Sequence, residues 1–178
     1  MPEEEKTIKD FEQLTGLLKK KEICKRTVVV WPEENHTQEA ILQATHEGFI
    51  SPILVCSERT KKIFADREAL QAVTAENPEE ASRIAVKIIR EQKADIIMKG
   101  FVNTDVLLRA ILDKEQGILP RGAVLTHITV TKNAEYPKLL LFTDAAATPY
   151  PTEEQRKAQI KYVIDFCHAF NIDCPKIS

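Results

Sequence analysis

Apolar residues along this chain fall into two kinds of pattern, and the two kinds take turns. Short unbroken runs occur at 27–31 ("TVVVW"), 51–57 ("SPILVCS"), 94–99 ("ADIIMK") and 138–144 ("KLLLFTD"). Runs of that length predict strands covered on both faces. Between them, apolar positions recur at helical spacing. Residues 8–22 place Ile8, Phe11, Leu14, Leu17 and Leu18 on one side. After Pro32, Asn35 or Thr37 can cap a helix carrying Ala40, Ile41 and Ala44, which Gly48 ends. A charged helix near 58–67 precedes a short strand at 70–74. Asn77-Pro78 followed by two acids is a helix start suited to the N-terminal dipole, and Ala81, Ile84, Ala85 and Ile88 continue it. Further helices are expected at 104–113 and across "PTEEQRKAQIKYVIDFCHAF", with Ile160, Val163, Ile164 and Cys167 on one stripe.

One segment breaks the rule. "AVLTHITVT" at 123–131 alternates, with Val124, Thr126, Ile128 and Val130 on one side. Only "NAEYPK" separates it from "KLLLFTD", too little for a crossover helix, so these two should pair antiparallel. The whole predicts an α/β fold, a three-layer sandwich around a mostly parallel sheet.

In such folds ligands sit beyond the carboxyl ends of the strands. Lys99-Gly100 lies at one such end, with Asn103, Thr104 and Asp105 opening the next helix. A glycine permits close backbone approach, and free helix amides favour a phosphate or carboxylate beside the lysine. Equally, Asn103 or Thr104 caps the helix and Lys99 extends into water. Thr143-Asp144 follows four apolar residues, where Asp144 either orients a substrate or closes a turn on its own backbone. Thr126-His127 lies within the alternating segment, and His127 falls opposite Val124, Ile128 and Val130, as a cleft-facing or a structural histidine. Arg109 and Arg121 are candidate phosphate contacts, because a guanidinium fork suits that ligand. No P-loop, GxGxxG or nucleophile elbow is present.

Composition narrows the partners. The 178 residues carry a formal net charge of -2, so no global field draws nucleic acid or anionic lipid, and an anion site has to be local. No apolar run approaches the roughly 18 residues of a membrane span. "MPEEEKTIKD" is not a secretory signal. Cys24, Cys56, Cys167 and Cys174 form no CxxC pair and no zinc-like cluster, which suits reduced thiols in the cytoplasm and predicts no metal site.

Four blocks in order, "ADIIMKGFVNTDVLLRAILDKEQGI", "LTHITV", "LLLFTDAA" and "PTEEQRKAQI", with "ISPILV" ahead of them, resemble the phosphate acetyl/butyryltransferase family, and its butyryltransferase branch most. The resemblance runs along the whole chain but only the N-terminal portion of the family. It implies reversible transfer of a short acyl group between coenzyme A and inorganic phosphate, with coenzyme A as substrate and no bound cofactor. It also implies an isocitrate/isopropylmalate dehydrogenase-like fold, a homo-oligomer in the cytoplasm, and neither nucleic-acid nor membrane partners. On that pattern residues 1–150 form the first α/β domain and 151–178 begin the second. Lys99, Asp144 and His127 would be catalytic; Gly100, Asn103, Thr104, Thr126 and Arg109 would bind substrate. Asn103 stands where the family often has His, and Ala147-Thr148 where it commonly runs toward an Asn. The family continues past "CPKIS" into groups that position thiol and phosphate. The alternative is a non-catalytic ligand-binding or subunit-association module, presenting Phe166 and Phe170 on an exposed helix face.

Overall fold

A computed structural model describes residues 8–66, 70–148, 150–170 and 172–178. In chain order the elements are α1 (Phe11–Lys20), β1 (Lys25–Val30), α2 (Asn35–His46), β2 (Ile50–Cys56), α3 (Glu58–Ile63), β3 (Gln71–Thr74), α4 (Pro78–Arg90), β4 (Ile96–Lys99), α5 (Thr104–Ile111), β5 (Thr129–Lys132), β6 (Leu139–Phe142) and α6 (Glu153–Ala169). The last position of the helix expected at 58–67 lies outside the described residues. The chain forms two compact units, Lys21–Pro120 and Met1–Lys20 with Arg121–Ser178.

The unit Lys21–Pro120 holds a parallel sheet in the order β3-β2-β1-β4. Its central strand shows why the run "TVVV" has no polar break. Val28 and Val30 pack with Val55 against Ala81, Ala85 and Ile88 of α4 and Leu107 of α5. Val29 points the other way, into Leu54, Cys56, Ile41 of α2 and Phe64. Both sheet faces are covered by helices, as the three-layer arrangement expected from the sequence requires. α4 starts as read: the Asn77 side chain accepts the Glu80 N–H at 2.8 Å and Pro78 occupies the first turn.

α2 departs from expectation. Its N-cap is Glu34, without a side-chain cap bond, not Asn35 or Thr37. Thr37, Gln38 and Ile41 are buried, whereas Ala40 is exposed. The helix is turned because the Gln38 Nε2 donates to the Pro32 carbonyl at 2.9 Å, drawing that side chain inward. Gly48 ends the helix at φ 79, where its left-handed backbone lets the Phe49 N–H reach the Ala44 carbonyl.

In the other unit, β5 and β6 form the antiparallel pair. β5 covers only Thr129–Lys132, so residues 123–128 of the expected strand are not in the ladder. The reason is a competing acceptor: the His127 N–H goes to the Asp144 carboxylate at 2.9 Å instead of a strand carbonyl. The Phe166 and Phe170 rings lie 5.1 Å apart, and Phe170 is buried with Ile8 and Leu139. Phe170 is therefore core, which corrects the expectation that these two rings form an exposed association face. α6 opens on a full capping box between Thr152 and Gln155.

Candidate functional site

At the carboxyl edge of the parallel sheet, Lys99 closes β4 opposite Val30 of β1. The chain then folds across the end of β1, with the Gly100 N–H donating to the Val30 carbonyl at 2.9 Å and the Phe101 N–H to that of Trp31 at 2.8 Å. Trp31 itself leaves the expected strand at φ 56, a left-handed conformation that costs a non-glycine residue about 1–2 kcal/mol. A Cβ on Gly100 would sit 2.6 Å from the Val30 oxygen and 2.7 Å from that of Trp31. The glycine thus serves the approach of the chain to itself. The Lys99 ammonium donates to the carbonyls of Val102 at 3.0 Å and Gly100 at 3.3 Å, tying the loop that leads into α5. Two of its three protons are thereby used. Asn103 accepts the Asp105 N–H at 3.2 Å and is the N-cap, while Thr104 is the first helical residue. Exposed Asp105 brings a negative charge to the same turn.

Next along that edge is a group the sequence reading passed over. The Glu33 carboxylate accepts from the Ser57 N–H at 2.9 Å, the Ser57 hydroxyl at 2.8 Å and the Thr60 hydroxyl at 2.6 Å. Its two oxygens fasten the loop after β1 to the start of α3, which Ser57 caps. The available signal was an acid just past one apolar run and Ser-x-x-Thr just past the next. Beneath this network, burial first and the Glu33 charge second push the Cys56 thiol up to about 11.

The second group lies in the unit containing β5 and β6. Asp144 Oδ2 accepts the Thr126 hydroxyl and the His127 N–H, each at 2.9 Å; Oδ1 accepts the N–H groups of Ala146 at 3.0 Å and Ala147 at 2.7 Å. Desolvation opposes ionisation of this carboxyl, but the backbone donors at Ala146, His127 and Ala147, with the Thr126 hydroxyl, outweigh it and hold the group well below the usual carboxylate range. A carboxylate so occupied is an acceptor in place, poorly suited to taking up a proton. Thr126 also meets Thr143 at 2.9 Å. The His127 ring is exposed and lies a loose 3.4 Å from the Thr129 hydroxyl. So Thr126 and its neighbour His127 meet Asp144, 18 and 17 residues on, in one cluster, as Lys99, Gly100, Asn103 and Thr104 form another.

Arg109 belongs to neither. It lies on α5 and lines a cleft shared with α4, to which Lys99, Gly100, Asn103 and Thr104 do not contribute. Among the described residues no group of three or more His, Cys, Asp or Glu could hold a metal ion, and no helix is long and apolar enough to cross a membrane.

The family model described as "Phosphate acetyl/butaryl transferase" matches residues 69–178. A phosphate butyryltransferase of Clostridium beijerinckii is 32% identical over 175 residues, 96% of this chain and 57% of its own length. A phosphate acetyltransferase of Rickettsia typhi is 29% identical over 83% of this chain and 44% of its own length. Among solved structures, a branched-chain phosphotransacylase from Enterococcus faecalis V583 superposes with a TM-score of 0.66 at 18% identity, over 80% of this chain and 51% of that one. At that identity the likeness speaks for the fold. The chain spans little more than half the length of these clostridial and enterococcal proteins.

Proposed function

This chain belongs to the phosphate acetyl/butyryltransferase family, and from that premise we propose that it serves the reversible transfer of a short acyl group, such as butyryl, between coenzyme A and inorganic phosphate. The observation that carries the reading is the reach of the family match. It spans Lys99, Gly100, Asn103, Thr104, Thr126, His127 and Asp144 together, with both clusters that those residues build. In the reaction a phosphate oxygen attacks the thioester carbonyl carbon, an oxyanion forms, and the carbon–sulfur bond breaks. Acyl phosphate and the coenzyme thiol result, the thiolate taking up a proton.

Each cluster has a part suited to this. Lys99 offers its remaining ammonium proton at the end of β4, beside the α5 amides not used by the Asn103 cap, where helix dipole and cation act with the same sign on phosphate or oxyanion. Asp144 contributes by position, holding Thr126 and the His127 backbone. Imidazole is the side chain suited to proton transfer near neutral pH, which makes His127 the candidate to protonate the departing thiolate. Coenzyme A is substrate, not resident cofactor. The family's first domain is assigned to 1–150 and the start of its second to 151–178. The setting is a cytoplasmic homo-oligomer, whose mass in solution sedimentation would report.

The test is phosphate-dependent loss of thioester absorbance from butyryl- or acetyl-coenzyme A by the protein as its gene encodes it. Turnover that falls with Lys99→Ala supports the reading. A folded protein without turnover overturns it, and stabilisation by phosphate in that case would favour the ligand-binding module.

A further inference from the structure

Away from both clusters, α4 and α5 leave between them a cleft of about 840 Å³, within the usual size of small-ligand sites. Its floor is aliphatic: Ile84 and Val106 pack on the sheet core, and Ala110 is half-buried beside them. No aromatic ring is among its lining residues. Arg83, Lys87 and Arg90 succeed one another along α4, and Arg109 stands on α5.

Most of the charges there are already engaged. Arg90 donates to the Gln116 side chain at 2.5 Å. Asp113 accepts the N–H groups of Glu115 and Gln116 at 2.9 and 2.7 Å. Glu91 lies 2.7 Å from Lys93 and 3.8 Å from Lys87. The guanidiniums of Arg83 and Arg109 have no hydrogen bond or ion pair among the described residues. Against four cations the lining holds three acids, Glu79, Glu91 and Asp113. A surplus of one charge suits a monoanion better than a multiply charged phosphate.

We propose that the α4–α5 cleft binds an aliphatic carboxylate, its chain on Ile84, Val106 and Ala110 and its head group neutralised by Arg83 and Arg109. A guanidinium fork matches a carboxylate in shape as well as sign, and an aliphatic chain needs only dry methyl surface. The site lies apart from both clusters on which the acyl-transfer reading rests; of the residues the family resemblance implies for substrate it shares only Arg109, which lines this cleft and belongs to neither cluster.

The experiment is backbone-amide NMR titration of the full chain with octanoate, with octanol and inorganic phosphate as parallel probes. The result expected is saturable octanoate binding that shifts amides of α4 and α5 and is weakened at least about ten-fold in the double variant Arg83→Ala/Arg109→Ala. Both side chains are exposed, and Arg83→Lys/Arg109→Lys supplies a charge-keeping variant should the double alanine fail to fold. It should retain binding at reduced affinity, since an ammonium lacks the fork. Octanol binding as tightly as octanoate would show an apolar groove without charge recognition. Phosphate doing so would show anion binding without use of the floor. Either result overturns the proposal, as do shifts confined to other elements or no saturation at all.

Discussion

Replacing Gly100 by alanine tests whether the carboxyl edge of the sheet is as tightly closed as the distances say. The added Cβ would meet the Val30 oxygen at 2.6 Å and the Trp31 oxygen at 2.7 Å, against the 3.4 Å at which ordinary contact begins. Both atoms are backbone, so no side chain can swing aside, and a shift of about 0.8 Å is required. The same two oxygens accept the Gly100 and Phe101 N–H groups at 2.9 and 2.8 Å. Moving them that far takes both bonds past the limit of useful geometry. Two lost hydrogen bonds cost about 1 kcal/mol each, and crowding a packed site adds roughly 1–3 kcal/mol. Alanine stiffens the unfolded chain and returns about 0.4–1 kcal/mol. The net is about 2–4 kcal/mol, or a melting temperature lower by roughly 5–15 °C for a chain of this size. Thermal unfolding followed by circular dichroism reads it directly. Gly16→Ala is the control, since nothing lies within 4 Å of its Cβ position in α1; it should stabilise by about 0.5–1 kcal/mol. If Gly100→Ala melts within about 2 °C of the parent, well inside the expected drop, the account of this edge is wrong.

Asp144→Ala should cost about 1.5–3 kcal/mol, the range for hydrogen bonds to one charged group. Because the folded carboxyl titrates below its ordinary 3.8, the stabilisation is complete above that value and fades as pH falls through the lowered one. Chemical denaturation of parent and variant should differ by a constant amount from about pH 5 to 8 and converge in acid; a difference that widened in acid would refute it. Asn77→Ala removes the cap on the Glu80 N–H and should cost about 1 kcal/mol by the same measurement. A neutral result would mean that solvent satisfies that amide equally well. Exposed Cys24 and Cys174 should react with a thiol reagent in the native protein, while buried Cys56 and Cys167 should wait for unfolding. Prompt modification of Cys56, whose thiol is pushed up to about 11, would contradict its burial under the Glu33 network.

The elements that hydrophobic pattern made legible are those whose cause is local. The run "TVVV" betrays a strand covered on both sides because its own residues are apolar toward either face, and Asn77-Pro78 betrays a helix start because the capped amide lies three residues on. Where the determinant comes from afar, pattern fails. Residues 123–128 alternate like a strand, yet the His127 amide is claimed by a carboxylate 17 residues away. α2 is rolled by one glutamine reaching back to Pro32, which outweighs the alanine stripe. Among the candidate residues, the sequence correctly placed Lys99 at a strand end but could not show that its ammonium would turn to the loop carbonyls. Nor could it place Arg109 in a groove with α4, since that depends on how two helices pack side by side.

The lysine at the end of β4 is held at two loop carbonyls. A free lysine side chain surrenders about 1.5–2 kcal/mol of rotational freedom when pinned. Here that loss falls on folding, so under the proposed function an oxyanion would meet a cation already stilled. Its attraction is then spent on the encounter itself, not on quieting the arm that makes it.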